Sequence, residues 1–415
     1  LFQSDRIMQA EQAKEINHYL KQAQQEAASY NWLEVNYYLQ QSPIFATKLS
    51  FSEIEPENQE KILQLALDVL INGDFQQKWQ IAKLFPVIGD YGINALIALL
   101  DKKTIDYETK WFIARILGDF PQQKVIIALA NLLQTTSESD LTAIAAESLA
   151  KIGIPAVETL IQLLETEYRL LAAKALAYIR VAPVIPTLLS LATDNAPEIR
   201  VLAIEALGSF HGKQILPVLI QALQDRHSMV RKEAVIALGF CRDLYSELNL
   251  VSHLQPLLYD LNLDVCRQTA LALGKIGNDS AIKALNEALK SPNTPLSLKL
   301  DIVKALAWSE SSLALDYLQA AITTESNLVG QEIIEIITVL GRIKTIALKS
   351  KAIAILTNFW QTSPLAQNFE CKKSLAMALG ELKARSSKGI LEQLAQDKNK
   401  TVQLYAIASL KKIDS

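Results

Sequence analysis

Two stretches of this chain say nearly the same thing thirty-one residues apart: "DNAPEIRVLAIEALG" at 194–208 and "DRHSMVRKEAVIALG" at 225–239. In both, an Asp stands six residues before an Arg, and the Arg eight residues before a Gly. Anchored on that Gly, counterparts recur at Pro86, Gly118, Ala150, Ala177, Gly208, Gly239, Gly274, Ala307, Gly341, Gly380 and Lys411. The spacings are 32, 32, 27, 31, 31, 35, 33, 34, 39 and 31 residues. So narrow a spread over eleven places marks a repeat architecture, in which one small unit stacks on the next.

Each unit carries two helical patterns. In 199–210 the apolar positions are Ile199, Ala203, Ala206, Leu207 and Phe210; one unit on they are Val230, Ala234, Ala237, Leu238 and Cys241. Offsets of 4, 7, 8 and 11 describe one face of a helix. A second apolar helix follows, as in "ILPVLIQALQD" and "AIKALNEALKS". We term this one A and the helix ending in the anchor B. Gly, Asn, Asp and Pro fill the joints between them. Strand alternation is almost nowhere visible. The expected fold is all-α: an α-α superhelix of about eleven helix pairs, forming one curved solenoid over 58–415. Residues 1–57 do not fit the repeat. They hold two amphipathic patterns rich in Gln and Tyr, read as a helical cap on the first repeat or a docking arm for a partner.

The pattern DxxxxVRxxAxxALGxIG resembles the HEAT-like repeat typified by phycobilisome lyases. Residues 194–208, 225–239 and 260–277 carry it best, although "DLNLDVCRQTALALGKIG" moves the Arg one place, to Arg267. The resemblance covers roughly 58–415 and is specific for fold rather than function.

The recurring base (Lys78, Lys110, Arg169, Arg200, Arg231, Lys299, Lys372) is expected to hold structure. At a B-helix start it reaches the Asp of the preceding joint and the carbonyls ending the A helix before it. Asp194–Arg200 and Asp225–Arg231 are the expected pairs. Cys266 takes the place of the base in its repeat and is read as a plain substitution in a shielded joint, with a reactive thiol as the competing reading, and Cys241 as an inert core residue. His211 and His227 fall at joints.

B helices are expected to line the inner, concave surface. Residues one beyond the base include Trp79, Trp111, Leu170 and Val201; one turn further on come Lys83 and Arg115. Trp79 and Trp111 share one register position, and tryptophan on an open face is often a binding hot spot. Packing beneath the N-terminal cap or between repeats is the competing reading. The expected partner-binding set is therefore Trp79, Lys83, Trp111, Arg115, Leu170 and Val201. Extra residues at 242–252 and 361–370 are read as edge insertions that serve recognition or reflect tolerated drift.

Other classes find little support. A net charge of −3 argues against a dedicated nucleic-acid binder. Three cysteines without a CxxC pair fit a reducing compartment, hence a cytoplasmic location, and supply no zinc motif. The apolar runs at 91–100 and 125–133 are too short to span a bilayer, so no integral membrane segment is expected. Nucleotide, metal and serine-hydrolase signatures are missing, so no catalytic residue, metal or cofactor is assigned. The leading expectation is a non-enzymatic scaffold or assembly factor that holds another protein. The resemblance suggests a phycobiliprotein or another photosynthetic component as that partner, and a cyanobacterial source. It also implies an alternative, a phycobilin lyase or isomerase joining a bilin to a phycobiliprotein cysteine. Bilin walls would then come from Trp79, Trp111 and Tyr107, and propionate contacts from Lys83 and Arg115.

Overall fold

The computed structural model describes residues 2–46, 50–210, 212–240, 249–323 and 330–414. Cys241, His211 and most of the 242–252 stretch lie outside the described residues. Contacts divide the chain into two compact units, Leu1–Leu191 and Ala192–Ser415.

The first unit opens with α1 (Phe2–Ala28), α2 (Trp32–Gln41) and the short α3 (Pro43–Ala46). α4 (Pro56–Asn72) and α5 (Phe75–Ala82) form the first A–B pair, and α1 and α2 pack on them. After the short α6 (Phe85–Ile88), the pairs are α7 (Ile93–Leu100) with α8 (Tyr107–Leu117), α9 (Gln123–Thr135) with α10 (Ser139–Ile152), and α11 (Val157–Leu163) with α12 (Arg169–Tyr178). The A helix α13 (Ile185–Leu191) ends the unit. α5 and α8 start at side-chain caps. Asp74 accepts from the Gln77 N–H while the Gln77 side chain accepts from the Asp74 N–H, and Asp106 caps α8 through the Thr109 N–H. Phe75–Leu100 is long and apolar enough by composition to cross a membrane. It is not one rod: turns separate α5, α6 and α7, and Gly89 takes a left-handed φ of 64°.

The second unit begins with the B helix α14 (Pro197–Leu207). Its pairs are α15 (Leu216–Ala222) with α16 (Ser228–Leu238), α17 (Leu250–Leu254) with α18 (Leu263–Ile276), and α19 (Asp279–Lys290) with α20 (Leu296–Trp308). Then come α21 (Ser312–Ile322) with α22 (Gly330–Gly341), α23 (Ile346–Thr362) with α24 (Phe369–Glu381), and α25 (Lys388–Leu394) with α26 (Lys400–Asp414). B helices stack in series from α14 to α26, and in the first unit from α5 to α12. Among the described residues the B helices number eleven in chain order, as the anchors predict. The 361–370 stretch makes no free loop: it finishes α23, adds a 3-10 turn over Pro364–Gln367 and starts α24.

The anchor glycines mark where consecutive B helices cross. A Cβ on Gly208 would lie 2.7 Å from the Ala237 Cβ, and one on Gly341 would lie 2.6 Å from the Ala378 Cα. Gly118, Gly239, Gly274 and Gly380 meet Ser148, Ala272, Ala305 and Ser409 in the same manner. Each partner stands two residues before the next anchor, so "ALG" encodes both halves of one contact: the glycine gives room, and the alanine of the next repeat fills it.

Arg200, Arg231 and Lys372 do hold the joints, but their acidic partners are one repeat later than expected. Arg200 makes a forked pair with Asp225, Nε to Oδ2 and Nη2 to Oδ1, both 2.7 Å. From its own joint it takes the Asp194 and Asn195 carbonyls, at 2.8 and 3.0 Å from Nη1. Arg231 repeats the arrangement with Asp260, two bonds of 2.7 Å, and takes the Asp225 carbonyl. Thus Asp194–Arg200 and Asp225–Arg231 are carbonyl contacts, and the carboxylate pairs are Arg200–Asp225 and Arg231–Asp260. The correction has a geometric cause. The guanidinium leaves a B-helix start and points toward the next joint in the stack, where a bidentate carboxylate is within reach. Lys372 reaches Asp397 at 2.8 Å in the same sense.

Cys266 fits this scheme. Its thiol donates to the Asp260 carbonyl at 3.2 Å, the bond Arg231 makes to Asp225, and Gln403 makes it to Asp397. The joint that follows Cys266 reads Ser291–Pro292–Asn293–Thr294–Pro295 and has no acid for an arginine to meet. Burial raises the pKa of the thiol, with the nearby Asp260 adding to the effect. Arg267 points elsewhere, to Asp264 and Asp301.

Candidate functional site: grooves along the B helices

In the first unit, α5 and α8 bring Trp79, Trp111 and Arg115 together. Both rings are half-buried and pack on Phe112, which is fully buried: Trp79 edge-on at 6.3 Å between centroids, Trp111 edge-on at 5.2 Å. Trp79 also stacks on Phe75 at 6.3 Å and 20°. The Arg115 guanidinium lies over both indoles, 4.5 Å from the Trp79 centroid and 5.7 Å from that of Trp111. Cation–π contact ties successive repeats there, and it covers ring faces that a ligand gripped between the tryptophans would need. Lys83 does not join: it is exposed and donates to Gln80 Oε1 at 3.2 Å. The exposed Tyr107 donates to Asp140 at 2.8 Å, and that bond raises its pKa.

Arg115 also forms one end of a groove of about 430 Å³. Glu147 and Lys151 from α10 and Lys174 and Tyr178 from α12 complete its polar rim over a floor of small residues, among them Ala143, Ala146 and Ala175. Arg115, Glu147 and Lys174 hold the same register position in three successive B helices, so the repeat itself assembles them. Tyr178 is 79% exposed. Leu170 is exposed one turn before Lys174, and Val201 is half-buried on α14 in the other unit; neither lines this groove.

The second unit holds a feature the register argument misses. Trp308, the last residue of α20, is 65% exposed and borders two grooves of about 820 and 870 Å³. It stands one turn beyond Lys304, outside the two register rows compared above. Its signal in the sequence was "LAWSE", where an indole takes the place next after the anchor that Lys275 and Arg342 hold in the neighbouring repeats.

Groups with displaced pKa values lie outside these grooves. Asp106, Asp225, Asp260 and Asp397 belong to joints, and Cys371, like Cys266, is pushed up by burial. For Asp106, burial pushes upward, but the Thr109 N–H and hydroxyl and the Lys78 ammonium outweigh it. Lys78 itself is buried against Thr109 and Glu108, at 2.9 and 3.0 Å. The carboxylate shifts come from partners within the joints, and the thiol shifts from burial.

Residues 185–248 and 251–338 match the HEAT-repeat family model. Importin beta, crystallised in ammonium sulfate, aligns over 94% of this chain and 59% of its own, at 15% identity and a TM-score of 0.50. An engineered protein aligns over 86% of this chain and 96% of its own at 22% identity, with a TM-score of 0.33. Kap95p, from a structure of its binding to RanGDP, aligns over 91% of this chain and 64% of its own at 13% identity, with a TM-score of 0.46. None of the curated proteins matches the sequence. The fold is a HEAT-repeat solenoid, an architecture typical of protein-binding scaffolds.

Proposed function

We propose that this chain is a non-enzymatic scaffold that holds another protein along its B-helix layers. The groove that carries the reading is the one in which Arg115, Glu147 and Lys174 converge from three successive repeats beside the exposed Tyr178. Two bases, one acid and a phenol over a floor of small side chains suit recognition of a polar, side-chain-rich surface. Leu170 and Lys83 extend the exposed surface on neighbouring turns. A phycobiliprotein or other photosynthetic component is the partner suggested by the repeat's resemblance, and a reducing, cytoplasmic setting is suggested by the sparse cysteines. The bilin-lyase alternative requires the indole faces of Trp79 and Trp111. Arg115 lies on both, which ranks that chemistry second.

A photo-crosslinking amino acid placed at Glu147 or Lys174 tests the proposal, with the exposed Ile127 of α9 as the outer-layer control. In extract of the source cells, one protein should cross-link from Glu147 and Lys174 and not from Ile127. Cross-links from Ile127 alone, or from none of the three, would overturn the reading. Visible absorbance co-purifying with the chain would move the assignment to the lyase.

A further inference from the structure

We infer that the groove beside Trp308 binds an acidic peptide segment carrying one large apolar side chain. The inference rests on the scaffold reading and supplies the chemistry of a partner segment. Three observations lead to it. The first is Trp308 itself: an indole 65% exposed and lining two grooves is an apolar platform. Met377, 44% exposed on α24, lines the same groove and offers a soft apolar wall. The exposed indole suits a Leu, Phe or Trp side chain laid on it, with Met377 further along the same groove.

The second is the charge around them. Lys304, Arg342, Lys344 and Lys349 line this groove with Glu310 and Glu381. Most bases on the B layer of this unit already have acids: Lys304 shares Asp301 with Arg267, Lys373 has Glu370, and Lys232 has Glu233. Glu381 is itself held by Lys412. Arg342, Lys344 and Lys349 are different: among the described residues no acid lies within ion-pair distance of them. In a chain of net charge −3 this is a local positive cluster beside an apolar platform. It complements carboxylates flanking an apolar anchor.

The third is size. Two B-helix steps from α20 to α24 span about 20 Å, which an extended peptide of about six or seven residues crosses. Single-stranded nucleic acid is the other polyanion that uses bases and an aromatic platform. It fits less well, because a continuous phosphate backbone would meet Glu310 and Glu381 within the lining, whereas a peptide places its acids selectively.

The test is selection of a displayed library of random peptides of about seven residues on the full chain. Selected sequences should be enriched in Asp and Glu around one large apolar residue. Trp308→Ala should weaken a selected peptide at least about tenfold. The double reversal Arg342→Glu, Lys344→Glu should abolish acidic selection and favour Lys and Arg instead. All three side chains are exposed, so circular dichroism should be unchanged, and the charge reversal stands as the test even if Trp308→Ala perturbs α20. No enrichment, enrichment without acids, equal binding by the reversed variant, or displacement of the peptide by a single-stranded oligonucleotide at comparable concentration would overturn the inference. If the Glu147 and Lys174 cross-links persist in any of those cases, the scaffold reading stands and only the acidic specificity fails.

Discussion

Asp225, Asp260 and Asp397 are each held by three partners. The base of the preceding repeat takes the carboxylate, a side chain of the same repeat takes the carbonyl, and the N–H two residues on completes the set. Arg231→Ala breaks two grips together, freeing the mostly buried Asp260 carboxylate and the Asp225 carbonyl. It should cost about 2–4 kcal/mol. Lys373→Ala, which loses a surface ion pair with Glu370 and a contact to Phe369, should cost only about 0.5–1 kcal/mol. Urea unfolding of both variants checks this; equal losses would show that the joints contribute no more than the surface. The same carboxylates set a pH dependence. For Asp225 and Asp260, burial pushes the pKa up, and the arginine bond and backbone N–H outweigh it; for Asp397 the Lys372 bond leads. All three fall below the ordinary range, so their contribution is complete above the unfolded carboxylate value of about 3.9 and is lost as pH falls through the lower folded values. Urea midpoints should drop as pH falls below about 4, and Asp260→Asn should flatten that drop.

Between elements, the decisive quantity is the clearance where B helices cross. Gly208→Ala places a methyl 2.7 Å from Ala237 and must push α14 from α16, at a cost of about 1–3 kcal/mol. Gly389→Ala in α25 is the counter-case. Nothing lies within 4 Å of its Cβ position and its φ is not left-handed, so better helix propensity should stabilise by about 0.5–1 kcal/mol. Opposite signs for one chemical change, read by calorimetry, would separate crossing glycines from incidental ones. The indole pair obeys the same logic of clearance. Trp79 and Trp111 reach Phe112 from two repeats, and Arg115 closes over them, so this cluster joins elements as well as facing outward.

Across the molecule, stability in stacked repeats is carried by nearest neighbours. The chain parts at Leu191 and Ala192 into two units, each with its own series of stacked B helices. Damage at one crossing should therefore spread to adjoining helices and fade. In Arg231→Ala, amide exchange should quicken in α14, α16 and α18, while α4, α5 and α8 of the other unit keep their protection. A uniform rise across both units, measured by mass spectrometry of exchanged peptides, would instead show a single cooperative block.

Periodicity alone determined much of this protein. Helix type, the alternation of A and B, the eleven anchors and the buried faces Ile199–Ala203–Ala206–Leu207 and Val230–Ala234–Ala237–Leu238 follow from apolar spacing, because a 3.6-residue period and a burial face are local properties of a chain. The register row holding Arg115, Glu147 and Lys174 was legible for the same reason. The tertiary structure decided the rest, since it depends on how far one repeat lies from the next. Arg200 chose Asp225 over Asp194 because a side chain at a B-helix start reaches forward through the stack. Arg115 covered two indoles that the sequence could place only in register, and Trp308 came to border two grooves because residues of α16, α18, α22 and α24 gather on either side of its helix end. The division at residue 191 left no mark in composition: it is set by where contacts thin out, a property of packing between repeats and not of any one of them.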